Sequence, residues 1–360
     1  MKNVLRIYAG PKARLHIEQN GLRPCAVGIV PGAAGGPKGL VLGPLDRFIF
    51  GNWLTASTQP VHLVGASIGA WRMATACLDD PVSAFKRLES DYIATDYALK
   101  PGQRRPSADA VSEQFGKSLQ DFYGGRLQEV LQHPRYKLHI VTSRGRHVLG
   151  REHKIATPLG YLGAYLSNRL HRKAMGAWLE RAVFSSKGAV LPFSSSDYRT
   201  RQIHLDEANF QPALQASCSI PFMLRAVHNI PGAPPGAYWD GGITDYHLHL
   251  NSKAPETSAP LVLYPHFQRA IVPGWLDKGL KWRHGATPFL DNMVVLAPNA
   301  EWIKTLPNGK LPDRTDFVRY GPDLQARVKA WSQSASQAEQ LADEFSAWLA
   351  KPDMSLIEAL

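Results

Sequence analysis

A serine lies between two glycines directly after a short apolar run, an arrangement that suits a nucleophile. Gly65-Ala66-Ser67-Ile68-Gly69 follows residues 61–64, which are apolar except for His62, and fits the glycine, any, serine, any, glycine pattern of a nucleophile elbow. The flanking glycines allow a strand and a helix to pack closely around the exposed serine. The start of that helix would present N–H groups to an oxyanion. Many unrelated turns also carry glycines around a serine, so an ordinary turn is an open alternative.

A glycine-rich segment precedes the serine. Residues 32–39 read GAAGGPKG, and Lys38 is followed by Gly39 rather than by a serine or threonine. The segment therefore lacks the magnesium-binding hydroxyl of a phosphate-binding loop, and it does not match the dinucleotide fingerprint. Gly35 and Gly36 could turn successive N–H groups toward one point, as an oxyanion hole requires. A tight strand-to-helix turn explains the same residues equally well.

The third element with chemical potential is an aspartate that ends an aromatic run. In Tyr238-Trp239-Asp240-Gly241-Gly242, the two glycines leave room to deliver the carboxylate into a crowded site. A serine hydroxyl needs a base to take its proton as it attacks. Aspartate is a weak base, with a pKa near ~3.9 in water, but direct contact in a partly dry site compensates. An Asp-Gly-Gly surface turn is the alternative.

Together, the three blocks resemble the patatin-like phospholipase family in residue type, order and separation. The matching blocks are residues 35–39, 65–69 and 240–242, and residues 214–222 resemble the family's alanine and serine segment that ends in proline and an aromatic residue. The resemblance extends over about residues 26–250. It implies a three-layer α/β/α fold with a central, mostly parallel sheet.

The resemblance also implies a Ser–Asp dyad. Ser67 would be acylated by an ester, Asp240 would act as the general base, and the N–H groups of Gly35 and Gly36 would bind the oxyanion. The sequence departs from the family pattern at Ala34, where many members have glycine. Pro37 is a second departure, because proline has no N–H to donate.

Four histidines follow Asp240 and leave a Ser–Asp–His triad open as an alternative. They are His247, His249, His266 and His284. The alternation of His247 and His249 suggests one strand face and a metal pair, but no third ligand follows at a recognisable spacing. We therefore expect neither a metal nor a cofactor.

The elements that must position these residues alternate between strands and helices, which favours parallel βαβ units. The pattern predicts strands at residues 25–30, 61–64, 136–142, 262–264 and 293–296. It predicts helices at residues 11–20, 40–53, 70–78, 82–92, 161–184 and 323–350. The pattern predicts a polar connector at residues 99–106. We divide the chain into an N-terminal extension (1–24), a catalytic domain (25–250) and a C-terminal part (251–360) packed on the same domain.

Composition excludes several classes of protein. Of 360 residues, 44% are hydrophobic and 20% charged, which argues against collagen-like, coiled-coil and disordered chains. Three distant cysteines fit a reducing compartment. No apolar run approaches the ~18 residues of a membrane span, and residues 1–10 do not resemble a signal peptide. We expect a cytoplasmic protein.

Charge suggests the partner. The net charge is +11, and residues 135–187 hold 11 basic residues against two acidic ones. Together with the amphipathic pattern of residues 161–184, this predicts peripheral contact with an anionic membrane and a lipid ester as substrate.

A solvated basic surface with no partner remains an alternative. So do a catalytically silent protein that binds anionic partners and an acyltransferase with the same dyad. No nucleic-acid module is recognisable, and no nucleic acid is expected.

Overall fold

The described strands of this chain belong to one sheet. The computed structural model describes residues 3–97, 106–252 and 259–360, so the predicted connector at 99–106 lies outside the described residues except at its last position. The strands are β1 (Leu5–Ala9), β2 (Val27–Gly32), β3 (Val61–Ala66), β4 (Tyr136–Gly145), β5 (Leu179–Ser185), β6 (Thr200–His204), β7 (Val227–His228), β8 (Ala237–Asp240), β9 (Leu261–Pro265), β10 (Met293–Pro298) and β11 (Ile357–Ala359).

The sheet is mostly parallel. Its strand order is β11-β1-β10-β9-β2-β3-β4-β5-β6, with β8 paired to β4 and β7 paired to β8. Neighbours from β10 to β4 are parallel, as are β5 with β6 and β1 with β11. The pairs β1–β10, β4–β5, β4–β8 and β7–β8 are antiparallel. Strands from the beginning, middle and end of the chain therefore share one hydrogen-bonded surface.

Helices flank this sheet in a three-layer α/β/α arrangement. The helices are α1 (Pro11–Asn20), α2 (Gly43–Phe48), α3 (Ile68–Thr75), α4 (Pro81–Ala94), α5 (Ala108–Tyr123), α6 (Leu127–Leu131), α7 (Ala156–Leu170), α8 (Phe210–Ser217), α9 (Ala300–Ile303), α10 (Thr315–Tyr320), α11 (Leu324–Gln337) and α12 (Glu339–Ala350). Helix α3 packs on β2, β3 and β4, α8 packs on β4 and β8, and α12 contacts β1. Among the described residues, no helix combines the length and apolarity needed to cross a bilayer.

Several strands of the sheet are buried along their whole length. Every residue of β2, β5, β9 and β10 is buried, as expected for parallel strands covered on both faces. Most of the apolar residues of these strands belong, with the inner faces of several helices, to one large core, and smaller buried clusters are separate from it. The three cysteines are all free thiols.

Several predicted elements are confirmed. Helix α1 spans residues 11–20, and the predicted strands appear as β2, β3, β4, β9 and β10. The predicted helix at 82–92 is α4. It begins at Pro81, and the Asp80 carboxylate accepts a hydrogen bond from the N–H of Ser83, so local capping chemistry defines its start.

The prediction of one helix over residues 161–184 is wrong. Helix α7 begins earlier and ends at Leu170, a 3₁₀ segment covers Arg172–Ala177, and Leu179–Ser185 is β5. Strand β5 pairs with both β4 and β6. Its side chains are buried on both faces, so they carry neither a helical nor an alternating period.

Three smaller predictions also need correction. The predicted helix at 40–53 is a 3₁₀ segment, the short α2 and a π-turn in succession. The predicted helix at 323–350 is two helices, α11 and α12, which meet at Ala338. His247 lies in a turn and His249 in an irregular segment, so neither lies on a strand.

Candidate active site

Ser67 occupies a sharp turn between β3 and α3. Its φ of 56° and ψ of −131° place a non-glycine residue in a disfavoured region. Both flanking glycines are needed sterically. A Cβ at Gly65 would lie 2.4 Å from the Cα of Ala70, and a Cβ at Gly69 would lie 1.8 Å from the carbonyl oxygen of Gly32. The turn therefore has the strained geometry of a nucleophile elbow.

The structure brings Ser67 and Asp240 into direct contact. The Ser67 hydroxyl donates a hydrogen bond of 2.7 Å to Oδ2 of Asp240, and both residues are buried. The other carboxylate oxygen, Oδ1, accepts a 2.7 Å hydrogen bond from the N–H of Gly242. A Cβ at Gly241 would lie 2.1 Å from the carbonyl oxygen of Val141. Both glycines after the aspartate thus have a geometric role.

Burial raises the pKa of Asp240. The hydrogen bond from Ser67 and the positive charge of Arg314 oppose that effect, as do the N–H of Gly242 and the charge of Lys278. A carboxylate with a raised pKa is a stronger base than an exposed one. The environment therefore moves Asp240 toward the basicity that removal of a serine proton requires.

Ser217 and Ser143 fix the backbone around this pair. The N–H of Ser67 donates to Oγ of Ser217 over 2.9 Å, and that hydroxyl donates to the carbonyl of Val141 over 2.7 Å. The hydroxyl of Ser143 donates to the carbonyl oxygen of Asp240 over 2.9 Å. The sequence of residues 214–222 does not reveal this role of Ser217, because its contacts depend on the packing of α8 against β4.

The glycine-rich segment lies beside the same pair. Gly35 lines the Ser67 cavity, whereas Gly36 lines a small neighbouring cavity of about 20 Å³. Within the described residues, the N–H groups of Gly35 and Gly36 donate no hydrogen bond. The N–H of Ala34 is occupied by the carbonyl of Tyr246 over 2.9 Å. A Cβ at Gly35 would lie 2.5 Å from the ring of Phe267, so only glycine fits there.

Lys38 and Gly39 complete this segment. The Lys38 ammonium lies 5.3 Å from the centre of the Phe267 ring, and burial lowers its pKa. A Cβ at Gly39 would lie 3.2 Å from Cγ1 of Ile68, so the glycine allows the segment to pack against the first turn of α3.

A buried ion pair holds α3 in place. Arg72 donates from two nitrogens to the two carboxylate oxygens of Asp46, over 2.6 and 2.7 Å. Asp46 belongs to α2, and both side chains are almost wholly buried. This bidentate contact ties α2, which follows the glycine-rich segment, to the helix that begins after Ser67.

The cavity that contains Ser67 and Asp240 has a volume of about 220 Å³. Ile220 and Trp275 supply apolar walls, and Lys278 and Arg314 contribute positive charge. Residues after 250 thus line the site, although their sequence contains no recognisable catalytic or binding motif.

Cys218 also lies close to Ser67. Burial raises the pKa of its thiol well above the ordinary value, and the negative charge of Asp240 raises it further. The thiol therefore stays protonated near neutral pH and is a poor nucleophile. Ser67, in contact with a carboxylate, is better placed for attack.

None of the four histidines after Asp240 lines this cavity in the described part of the chain. His247 accepts a hydrogen bond from the N–H of Val272, and His249 contacts Thr287. His266 and His284 contact backbone carbonyls. The arrangement therefore gives no support to the triad alternative.

Comparison with known proteins adds distant structural similarity. No protein-family model matches the chain, and no curated protein matches it. The crystal structure of VipD from Legionella pneumophila aligns with a TM-score of 0.37 and 15% identity, covering 95% of this chain and 70% of that one. Similarity at this level defines neither a family nor an activity.

The basic residues of 135–187 do not form one surface. Arg181 makes two hydrogen bonds to Asp245, and Arg144 pairs with Glu180. Arg172 pairs with Asp245 and Asp277. These guanidinium groups bind internal carboxylates. The exposed cations of the segment lie near the ends of α7 and beyond β5, and they are Arg151, Lys154, Arg169, Lys173 and Lys187.

Proposed function

We propose that this protein is a serine-dependent carboxylic ester hydrolase of the patatin-like phospholipase type. The observation that carries the proposal is the 2.7 Å hydrogen bond from the Ser67 hydroxyl to the Asp240 carboxylate inside a cavity. The strained turn at Ser67 and the order of the four sequence blocks support it. A Ser–Asp pair of this kind forms an acyl-enzyme without a histidine.

The reaction has two halves. Asp240 accepts the Ser67 proton as Oγ attacks the ester carbonyl carbon, and the tetrahedral intermediate then collapses to the acyl-enzyme. The alcohol leaves with the proton that Asp240 returns. A water molecule then attacks the acyl carbon, Asp240 takes its proton, and Ser67 regains a proton as the carboxylic acid is released.

The oxyanion is stabilised by N–H groups of the glycine-rich segment. Gly35 and Gly36 carry N–H groups with no other acceptor among the described residues, and Gly35 lines the cavity. Donors held in place before the reaction stabilise developing charge effectively. Pro37 donates nothing, so the two glycines provide the donors.

Replacement of the pair tests this function. We expect Ser67→Ala and Asp240→Asn to reduce kcat for a soluble 4-nitrophenyl ester by at least about a thousandfold each, with circular dichroism spectra unchanged. Ser332→Ala, which alters an exposed serine of α11, serves as the matched control. Full turnover by Ser67→Ala would overturn the proposal.

A fluorophosphonate provides a second test. We expect it to label Ser67 covalently in the native protein, and mass spectrometry of the labelled peptide identifies the site. Labelling should disappear in Ser67→Ala and persist in Ser332→Ala. Labelling of another residue would contradict the assigned nucleophile.

Helix α7 supports a lipid as the source of the ester. Leu159, Leu162, Leu166 and Leu170 lie at helical spacing, and their exposed fractions run from 51% at Leu166 to 87% at Leu170. We call these four residues the α7 surface. Aligned apolar side chains in water are unfavourable unless they meet an apolar phase. The exposed cations near both ends of the helix complement an anionic membrane.

The α7 surface is connected to the site. On its inner side, Tyr161 contacts the rings of Phe222 and Trp239 at centroid distances of 5.9 and 6.0 Å. Trp239 precedes Asp240, and Phe222 lies two residues after Ile220 in the cavity wall. Phe222 is 66% exposed and has a φ of 68°. An exposed apolar side chain near the cavity, at a backbone position with a disfavoured φ, suits contact with lipid.

A further inference from the structure

The Ser67 cavity contains more positive charge than the dyad requires. Lys38, Lys278 and Arg314 line it together with Ser67 and Asp240. Within residues 3–97, 106–252 and 259–360, none of the three cationic side chains forms an ion pair or donates a hydrogen bond to another residue. Elsewhere in this protein, buried guanidinium groups such as Arg72 and Arg181 bind carboxylates.

Local carboxylates do not balance this charge. Among the residues that the structure describes, Asp240 and Asp313 are the acidic residues of the cavity wall. Asp313 is already paired with Lys310 over 2.8 Å, and it accepts hydrogen bonds from the N–H and hydroxyl of Thr315. Asp240 accepts from Ser67. Three cations therefore face one available carboxylate.

Packing holds two of these cations against the cavity. The Lys278 ammonium lies 4.0 Å from the centre of the Tyr246 ring and 5.3 Å from that of Trp275. The Arg314 side chain lies over Gly36, where a Cβ would come within 3.3 Å of its Nε. Contacts of this kind restrict where the charged groups can move.

A buried polar cluster fixes the backbone next to Lys278. The carboxylate of Asp277 is fully buried and accepts hydrogen bonds from Asn168 and Arg283 over 2.8 Å each, and from Arg172 over 3.2 Å. Asn168 belongs to α7. The position of Lys278 is therefore set by a cluster that also holds α7.

Burial and neighbouring charge disfavour the charged form of Lys278. Burial, together with the charges of Arg314 and Lys38, lowers the pKa of Lys278 to about 8, and the charge of Asp240 opposes this effect. Burial also lowers the pKa of Lys38. A bound anion would relieve this repulsion and supply the missing acceptor.

We propose that Lys278 and Arg314, together with Lys38, form a subsite for an anionic group of the ester substrate. The group is a phosphate or a carboxylate on the same molecule as the scissile ester, since both oxyanions match the planar fork of arginine. The subsite rests on the proposed hydrolase function, because it places the anion beside Ser67. In a cavity of about 220 Å³, the anion lies close to the ester carbonyl.

The same cations could act on the oxyanion of the tetrahedral intermediate instead. In that case their removal would reduce kcat/KM for neutral and anionic esters by the same factor. A subsite for a substrate anion instead predicts a larger loss of kcat/KM for the anionic ester. The ratio of kcat/KM for matched anionic and neutral esters therefore separates the two roles.

Two matched substrate pairs measure this ratio. Monomeric dihexanoyl phosphatidic acid is compared with dihexanoylglycerol, and the hexanoyl ester of lactate with that of methyl lactate. We expect the native protein to favour the anionic member of at least one pair. Lys278→Gln and Arg314→Gln should each reduce that preference about tenfold, because a hydrogen bond to a charged group contributes about 1.5–3 kcal/mol. The pair with the larger preference identifies phosphate or carboxylate.

Lys281→Gln is the control, because Lys281 is exposed, is near Lys278 in sequence and does not line the cavity. It should keep the native preference. Hydrolysis of all four esters with no charge preference, or an equal loss for both members of a pair, overturns the subsite and leaves the hydrolase function intact.

A binding measurement separates the two proposals. Hexyl phosphate and hexanoate are titrated calorimetrically into Ser67→Ala protein at constant ionic strength. Binding that disappears in Ser67→Ala with Lys278→Gln and Arg314→Gln supports the subsite, even if no ester is hydrolysed. Absence of binding by both probes overturns the subsite, whatever the esterase activity.

Discussion

At the scale of single residues, Asp240 can act as a base only while it is ionised. Burial raises its pKa, and the charges of Arg314 and Lys278 lower it. Hydrolysis depends on the ionised form, so kcat/KM should fall as the pH decreases through this raised pKa. We expect the acid limb for a neutral ester to lie above ~3.9, the ordinary aspartate value. An acid limb at or below that value would contradict the assigned base.

Arg314→Gln should move the acid limb further upward. The substitution removes a positive charge that favours the ionised form of Asp240, so the pKa of the carboxyl rises and activity is lost at a higher pH. The pH profile of kcat/KM with a neutral ester measures the shift. Arg319→Gln, which lies on α10 outside the cavity, should leave the profile in place. A downward shift in Arg314→Gln would refute the argument.

The residues that could be predicted from the sequence are those with a local signature. Ser67 lies in a turn that requires glycine on both sides, and Asp240 precedes glycines that its own loop requires. Lys278 and Arg314 lie in segments without such a signature. Their place in the cavity is decided by distant contacts with Tyr246 and Gly36, which a single sequence does not reveal.

At the scale of elements, the prediction for residues 161–184 shows how the sequence patterns of a helix and of the strand that follows it can resemble one long helix. The spacing of the apolar residues of α7 and of Trp178 and Leu179 predicts one amphipathic helix. In the structure the α7 surface is exposed, whereas Leu179 begins a strand that is buried throughout. Strand β5 is buried on both faces and carries Glu180 and Arg181 beside its apolar residues, so its sequence does not alternate between polar and apolar residues and does not interrupt the predicted helical period.

The α7 surface gives a prediction for membrane binding. Leu166→Glu with Leu170→Glu should reduce binding to vesicles of phosphatidylglycerol and phosphatidylcholine by at least about tenfold, since burial of each leucine is worth about 1.5–3 kcal/mol. Hydrolysis of a soluble ester should decline much less. Co-sedimentation with the vesicles measures the first effect.

Leu15→Glu controls for a general effect of charge, since Leu15 is an exposed leucine of α1 outside the α7 surface. It should bind vesicles as the native protein does. Arg172 is unsuitable for a charge-reversal test because its ion pairs with Asp245 and Asp277 are internal. Arg169 and Lys173 are exposed and better suited. Native vesicle binding by the double leucine variant would exclude this surface as the lipid contact.

The ion pair between α2 and α3 leads to a prediction for stability. Asp46→Ala leaves the buried guanidinium of Arg72 without its acceptor, and loss of one partner from a buried pair costs about 3–5 kcal/mol. Urea unfolding measures the loss, and the residual folded protein should show reduced esterase activity because α3 positions Ser67. Asp121→Asn, an exposed change on α5, is the control. A loss below about 1 kcal/mol would show that the pair contributes little.

At the scale of the whole molecule, the sheet contains strands from each of the three regions predicted from the sequence, residues 1–24, 25–250 and 251–360. Strand β1 pairs only with β10 and β11 within the described residues, and β9 completes the other edge of β2. The sequence indicated strands near residues 262–264 and 293–296 but not their neighbours in the sheet. Register and strand order depend on long-range pairing, which periodicity along one segment cannot specify.

A chain that ends at Leu250 therefore should not fold as an independent hydrolase. It would leave the edge of β2 unpaired, expose apolar residues that β9 and β10 cover, and lack Lys278 and Arg314 in the cavity wall. We expect weak protection of backbone amides from hydrogen exchange, binding of a hydrophobic dye, and no esterase activity.

Removal of residues 353–360 is the matched smaller deletion. It takes away β11, the final strand, and leaves the cavity wall intact, so cooperative unfolding should persist at a lower Tm. Cooperative unfolding and Ser67-dependent turnover by residues 1–250 would instead establish that segment as the autonomous catalytic unit.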